Sequence, residues 1–421
     1  MRLNSYAIPQ DLLDRLARGG GGAEAAEYLA AAQYSKNLLL VRGVAEEGQV
    51  EEAYDQLAEI AGQAPEVVRD LIGYPAVGAW AKRTLRELVA GQAEPLAAAQ
   101  LGAVAAAAAC RAGLRRRIRV PASGGVITLP SLGQLILPAD EDRLVELETD
   151  WKGLAGATGW TSLHRLTSAD GAIELVVDDL DPYRWPGPTV IEGRLPPDDL
   201  RRWRSHVVAA WELLSERHWT IAAELRAIAR VLTPIRAAQS GRDSATSRGT
   251  FGTVALSTPP DHTWLASTFA HELQHAKLNA VLDLVDLTLP DERRYYAPWR
   301  GDPRPLPGLL HGAYAHLGLA GFWRRQREFE QDLRPHIEFA RWRAAALEVT
   351  GTLLDSGRLT PAGVRFTGRL RRTLSSWMGE PVPPAAADAA AREADEHRAS
   401  WLARNGVTET ADRSPSRSAR P

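Results

Sequence analysis

His271-Glu272-Leu273-Gln274-His275 is an H-E-x-x-H run inside a strongly helical stretch. Histidines four apart lie one above the other on one helix face, so both imidazoles can ligate a single metal ion. Glu272, one residue on, projects about 100° round the helix, beside such an ion rather than onto it. Three roles stay open for it: a base or orienting group for a metal-bound water, a partner for a substrate amide, or a structural acid. A metal needs a further protein donor. The stretch Lys277 to Asp283 contains neither Gly nor His, so the His-x-x-Gly-x-x-His extension of one zinc-peptidase group is absent. Glu292 follows in a loop. His316 lies on the apolar stripe Leu309, Ala313, His316, Ala320, Trp323 of the next helix, where a buried imidazole needs a partner and a metal would be one. His311, about 140° away, cannot bind the same ion alongside His316 and is the alternative ligand, or a group supporting one.

Between these two helices runs Arg293-Arg-Tyr-Tyr-Ala-Pro-Trp299-Arg300-Gly-Asp302-Pro-Arg304-Pro. It reads either as a proline-stiffened connection or as a carboxylate-binding loop in which Arg300 or Arg304 makes the two parallel bonds that suit arginine. His164, His206, His218, His262, His336 and His397 are isolated and read as packed or surface residues.

The elements that must position these groups divide the chain into four parts. Residues 1–117 are helical, in Ala/Leu-rich segments such as 23–33, 50–61, 65–72, 77–90 and 95–112, with the glycine run Gly19–Gly22 between the first two helices. Residues 118–200 are a small β-rich middle, with a hairpin at Ser168–Gly171 and a proline-rich connection over 182–197. Residues 201–381 form the metal-helix core. A helix over 197–232, a strand at Gly252–Ser257 and a helix from His262 to Val285 capped by Asp261 lead to a further helix over 307–332. Gly252–Ser257 is either an interior strand or an edge open to an extended peptide. Residues 382–421 hold a last helix and, from Val407, a disordered tail. The fold class is α+β, mainly α-helical.

With 45% hydrophobic and 24% charged residues, the 421-residue chain has the make-up of a globular protein. Its net charge of −2 excludes a general nucleic-acid binder and leaves no polybasic membrane patch. One cysteine, Cys110, excludes a Cys-rich metal site and an internal disulfide. The amino terminus carries no apolar signal region, and the alanine-rich run from 96 to 114 is a buried helix rather than a membrane span. A cytoplasmic location is the expectation.

The segment Phe251-Gly-Thr-Val-Ala-Leu-Ser257, the run HELQHAKLNAVLDLV and the run YYAPWRGDPRPLPGLLHGAYAHLGLAGFWRR resemble the HExxH-motif peptide-modification proteins of ribosomal-peptide pathways. These are described as 2-oxoglutarate-dependent peptide β-hydroxylases. The resemblance extends to Gly19–Gly22, to Ala31–Leu40, to Asp395–Arg398 and to Trp401–Asn405, and is weakest over 118–200. It implies Fe(II) in place of zinc, held by His271 and His275 and completed by 2-oxoglutarate. Oxidative decarboxylation to succinate and CO₂ would then accompany hydroxylation of a side-chain β-carbon on a precursor peptide. A radical-maturation enzyme of the same pathway is an optional further partner. Imidazoles suit zinc and iron alike. Two other classes therefore stand beside the oxygenase: a zinc metallopeptidase with Glu272 as general base, and a non-catalytic peptide-binding subunit of a modification complex.

Overall fold

Alanine and leucine at helical spacing build the first part of the chain. In a computed structural model, which describes residues 7–187, 189–191, 193–237 and 243–406, the helices are α1 (Gln10–Ala17), α2 (Gly22–Glu47), α3 (Glu51–Gln63), α4 (Pro65–Ile72), α5 (Pro75–Val89) and α6 (Gln100–Ala112). Prolines open α4 and α5, where a missing N–H costs nothing. Helix α2 runs fourteen residues past the expected end at Gln33, because the polar stretch that follows is satisfied internally. Lys36 pairs with Asp283 at 2.7 Å and the Asn37 amide donates to the Ile72 carbonyl at 2.9 Å. Helix α6 is buried from Leu101 to Cys110, and its Gly102 lies so close to Arg119 that an added Cβ would stand 2.0 Å from that backbone oxygen.

The β-rich middle follows: β1 (Arg117–Ala122), β2 (Val126–Leu129), β3 (Gly133–Ile136), β4 (Arg143–Glu148), the short α7 (Trp151–Ala155), β5 (Trp160–Ser162), β6 (His164–Thr167) and β7 (Glu174–Val177). Strand β1 pairs with β4, and β2-β3-β5 form a three-stranded sheet. Next come α8 (Pro197–Arg217), α9 (Trp219–Ile228), β8 (Val231–Pro234), β9 (Ser244–Ala245), β10 (Thr253–Leu256) and α10 (His262–Leu282). The helix expected to run to Leu232 therefore breaks at His218 and ends at Ile228, and its last residues are strand β8. All four β8 residues are buried, and a short apolar run of that kind has no period to tell strand from helix.

A five-stranded sheet, ordered β6-β7-β8-β10-β9, joins these pieces, with β7, β8 and β10 parallel and β6 and β9 antiparallel at its edges. Of the two readings of Gly252–Ser257 the interior one holds, since β10 lies between β8 and β9. The edge belongs to β9.

The chain divides into two compact units, one ending at Leu287 and the other beginning at Thr288. The second contains the two-residue strands β11 (Arg294–Tyr295) and β12 (Arg304–Pro305), antiparallel to each other, then α11 (Leu306–Gln326), α12 (Arg334–Asp355), α13 (Pro361–Met378) and α14 (Pro384–Asn405). Helix α12 packs against α11, α13 and α14. The molecule is thus α+β and mainly helical. Among the described residues no helix is long and apolar enough to cross a membrane. The tail from Val407 lies outside the described residues.

Candidate metal centre

Helix α10 starts where the sequence places it, with the Asp261 carboxylate accepting the Trp264 backbone N–H at 2.6 Å. It packs against α2, α8, α9 and β9. From Leu265 to Val281 every residue is buried except His271 and His275, which are half-buried. Over that stretch the helix thus opens only at its two histidines. Their ring centroids are 4.9 Å apart and the ring planes cross at 78°. Burial lowers the His271 imidazole below its ordinary value and pushes that of His275 down to about 4, with the Glu272 carboxylate opposing less strongly in both. Both are neutral at pH 7, the state in which an imidazole nitrogen offers its lone pair to a metal.

Glu272 is 1% exposed and points to the sheet edge. One carboxylate oxygen accepts the Ser244 hydroxyl at 2.8 Å and the other accepts the Thr246 hydroxyl. Strand β9, pinned to β10 through Ala245 and Ser244, presents the first donor, and the residue that follows it presents the second. Neither residue stood out in the sequence, because a two-residue strand in a polar loop has no periodicity to reveal it.

The other face of α10 is held by the glycine run. Gln274 donates to the Gly19 carbonyl at 2.8 Å, and the Lys277 ammonium lies 3.3 Å from the same oxygen. Lys277 also forms an ion pair of 2.7 Å with Glu224 of α9, with 0% and 3% of the two side chains exposed. Glu224 in turn accepts the Gly22 N–H at 3.0 Å. Glycine is needed here: Gly21 has φ +123°, and a Cβ on it would come within 2.5 Å of that of Ala25.

In the second unit His316 is buried, as its apolar stripe implied. Its Nδ1 lies 2.8 Å from the Gly312 carbonyl, and its ring stacks on Trp299 at 4.3 Å with Trp342 at 4.6 Å. A proton on Nδ1 donated to a carbonyl leaves the ring lone pair on Nε2. His311 is half-buried on the same helix. Arg300 and Arg304 both face Asp302, at 3.7 and 3.0 Å, so the carboxylate they meet is the chain's own. Tyr296 bonds His397 at 3.0 Å, and the Arg398 guanidinium lies over its ring.

The imidazole pair fits a divalent metal in donor type, protonation and spacing. Helix α10 contributes two donors, and among the described residues no group of three or more His, Cys, Asp or Glu side chains stands ready to hold an ion. Comparison with known proteins leaves the family open. No family model matches the chain, and no curated protein does.

Proposed function

We propose that the chain is an iron(II)- and 2-oxoglutarate-dependent oxygenase that hydroxylates a side-chain β-carbon of a ribosomally made precursor peptide, with α10 under the sheet edge as a zincin-like core. The observation that carries the reading is the pair of neutral, adjacent imidazoles of His271 and His275, the only openings in a helix otherwise enclosed from Leu265 to Val281. Imidazole donors suit Fe(II), and 2-oxoglutarate with oxygen supplies the oxidising power when both are bound.

The chain's own residues divide the remaining work. His271 and His275 hold the ion. The sequence nominates His316 as third donor, with His311 as the alternative, and the Gly312 carbonyl orients the His316 ring as ligating histidines are commonly oriented. Glu272 favours hydroxylation over hydrolysis. A peptidase base must take a proton from metal-bound water, whereas both oxygens of this carboxylate are engaged by Ser244 and Thr246. Its role in our reading is to fix the helix to β9. Arg300 or Arg304 would receive the cosubstrate carboxylate by exchanging Asp302 for it.

The test needs no peptide. Anaerobic addition of Fe(II) and then 2-oxoglutarate should produce a charge-transfer absorption band, and admission of oxygen should release succinate. Both signals should vanish in His271→Ala and His275→Ala. Comparison of His316→Ala with His311→Ala identifies the third donor. A wild-type protein that binds zinc, gives neither signal and cleaves peptides would replace this reading with the metallopeptidase.

A further inference from the structure

The amino-terminal motif Ala31–Leu40 takes no part in the metal reading, yet several of its side chains line a cleft of about 330 Å³ in the first unit. One wall is α2, with Glu27, Tyr34 and Asn37. Another is α4, with Glu66 and Arg69, and Phe251 and Arg230 complete it. The two arginines differ in kind. Arg230 is committed to Asp70, which Arg111 also holds at 2.6 Å, so these charges are spent on one another. Arg69 lies with its guanidinium 5.0 Å from the centre of the Tyr34 ring, and among the described residues it has no carboxylate partner. A guanidinium drawn to an aromatic ring keeps its N–H donors, and it can take a carboxylate by two parallel bonds. Glu27 and Glu66 line the same cleft, and neither forms an ion pair among the described residues. An opening with an uncommitted guanidinium and uncommitted carboxylates matches a molecule bearing both charges.

We infer that this cleft binds a small zwitterion of amino-acid or dipeptide size, its carboxylate on Arg69 and its ammonium on Glu27 or Glu66. The cleft is large enough for such a ligand. The rings of Tyr34 and Phe251 supply apolar surface for its body. The site stands apart from the metal reading, since it uses none of the residues of the histidine pair.

Calorimetric titration of the full chain with L-glutamine, L-phenylalanine and glycylglycine tests it. Succinate and inorganic phosphate serve as anions without an ammonium group. At least one zwitterion should bind, with affinity reduced tenfold or more in Arg69→Gln and in a Glu27→Gln/Glu66→Gln double variant. Arg69, Glu27 and Glu66 are exposed, so these variants keep the fold. His271→Ala should bind as the wild type does, which keeps the outcome separate from that of the oxygenase assay. The inference is overturned if no zwitterion binds, if Arg69→Gln binds equally well, or if succinate or phosphate binds as tightly as the zwitterions.

Discussion

Lys277→Met removes one half of the ion pair that seats helix α10. The ammonium is 0% exposed, bonds Glu224 at 2.7 Å and reaches the Gly19 carbonyl at 3.3 Å. Methionine fills much the same space, so the loss is electrostatic rather than a cavity. What remains is a Glu224 carboxylate, 3% exposed, that still accepts the Gly22 N–H. Stranding a buried charge in this way costs about 3–5 kcal/mol. The first unit is 287 residues long, and an unfolding entropy of roughly 2.1 cal/mol/K per residue gives about 0.6 kcal/mol/K. The expected fall in Tm is therefore about 5–8 °C, read by calorimetry with tryptophan fluorescence in guanidinium as a second probe. Adding Glu224→Leu removes the stranded charge and should recover most of the loss, since apolar replacement of a whole buried pair is often neutral. A single variant costing under about 1 kcal/mol, or a double variant less stable than the single one, would refute the idea that this pair is tightly coupled.

Three further outcomes follow from the geometry. Burial and the neighbouring Asp178 charge raise the Asp181 carboxyl to about 8, above its unfolded value, so folding takes up a proton that the unfolded chain has released. That contribution to stability is present below pH 4 and is lost as pH rises toward 8. Asp181→Asn, which keeps an oxygen for the Tyr183 N–H, should raise Tm over wild type more at pH 8 than at pH 5; an equal gain at both would remove the assignment. Gly312→Ala would set a Cβ 2.4 Å from the Trp299 ring, and displacing that ring from His316 should cost about 1–3 kcal/mol and change the near-ultraviolet dichroism of the tryptophans; unchanged spectra would count against the stack. Glu272→Gln turns an amide N–H₂ toward one of two hydroxyl donors and should destabilise the chain by about 1–3 kcal/mol while succinate release survives; release abolished in a folded variant would give Glu272 a chemical role.

The sequence discloses local features of the site and misses those made at a distance. Helix α10, its Asp261 cap and the common face of His271 and His275 follow from helical period and capping, which act within a few residues. The burial of His316 follows in the same way from its apolar stripe. The partners of Glu272 do not, because Ser244 and Thr246 reach it only after β9 pairs with β10. Nor does the grip of Gln274 on Gly19, which spans 255 positions. The pairing of Arg300 and Arg304 with Asp302 was readable, since that acid lies between them in the chain, and a local carboxylate is a natural partner for two flanking arginines.

The placement of these supports bears on mechanism. Helix α10 is fixed at its start by Asp261, toward the sheet edge by Glu272 and at its far side by Gln274 and Lys277. Six of its polar side chains, Ser267, Thr268, Glu272, Gln274, Lys277 and Asn279, are buried among the apolar ones, a costly arrangement unless their partners are secured. For Glu272, Gln274 and Lys277 those partners come from other elements: β9 and the residues after it, the glycine run and α9. The two imidazoles therefore sit on a helix with little freedom to slide or turn. A preorganised pair of donors binds an ion without reordering cost, and small shifts in its anchors should appear first as weaker metal binding. Gln274→Ala, which cuts one anchor and leaves both histidines in place, should lower Co(II) affinity by tenfold or more; affinity equal to wild type would show that the clamp supports the fold without tuning the donors.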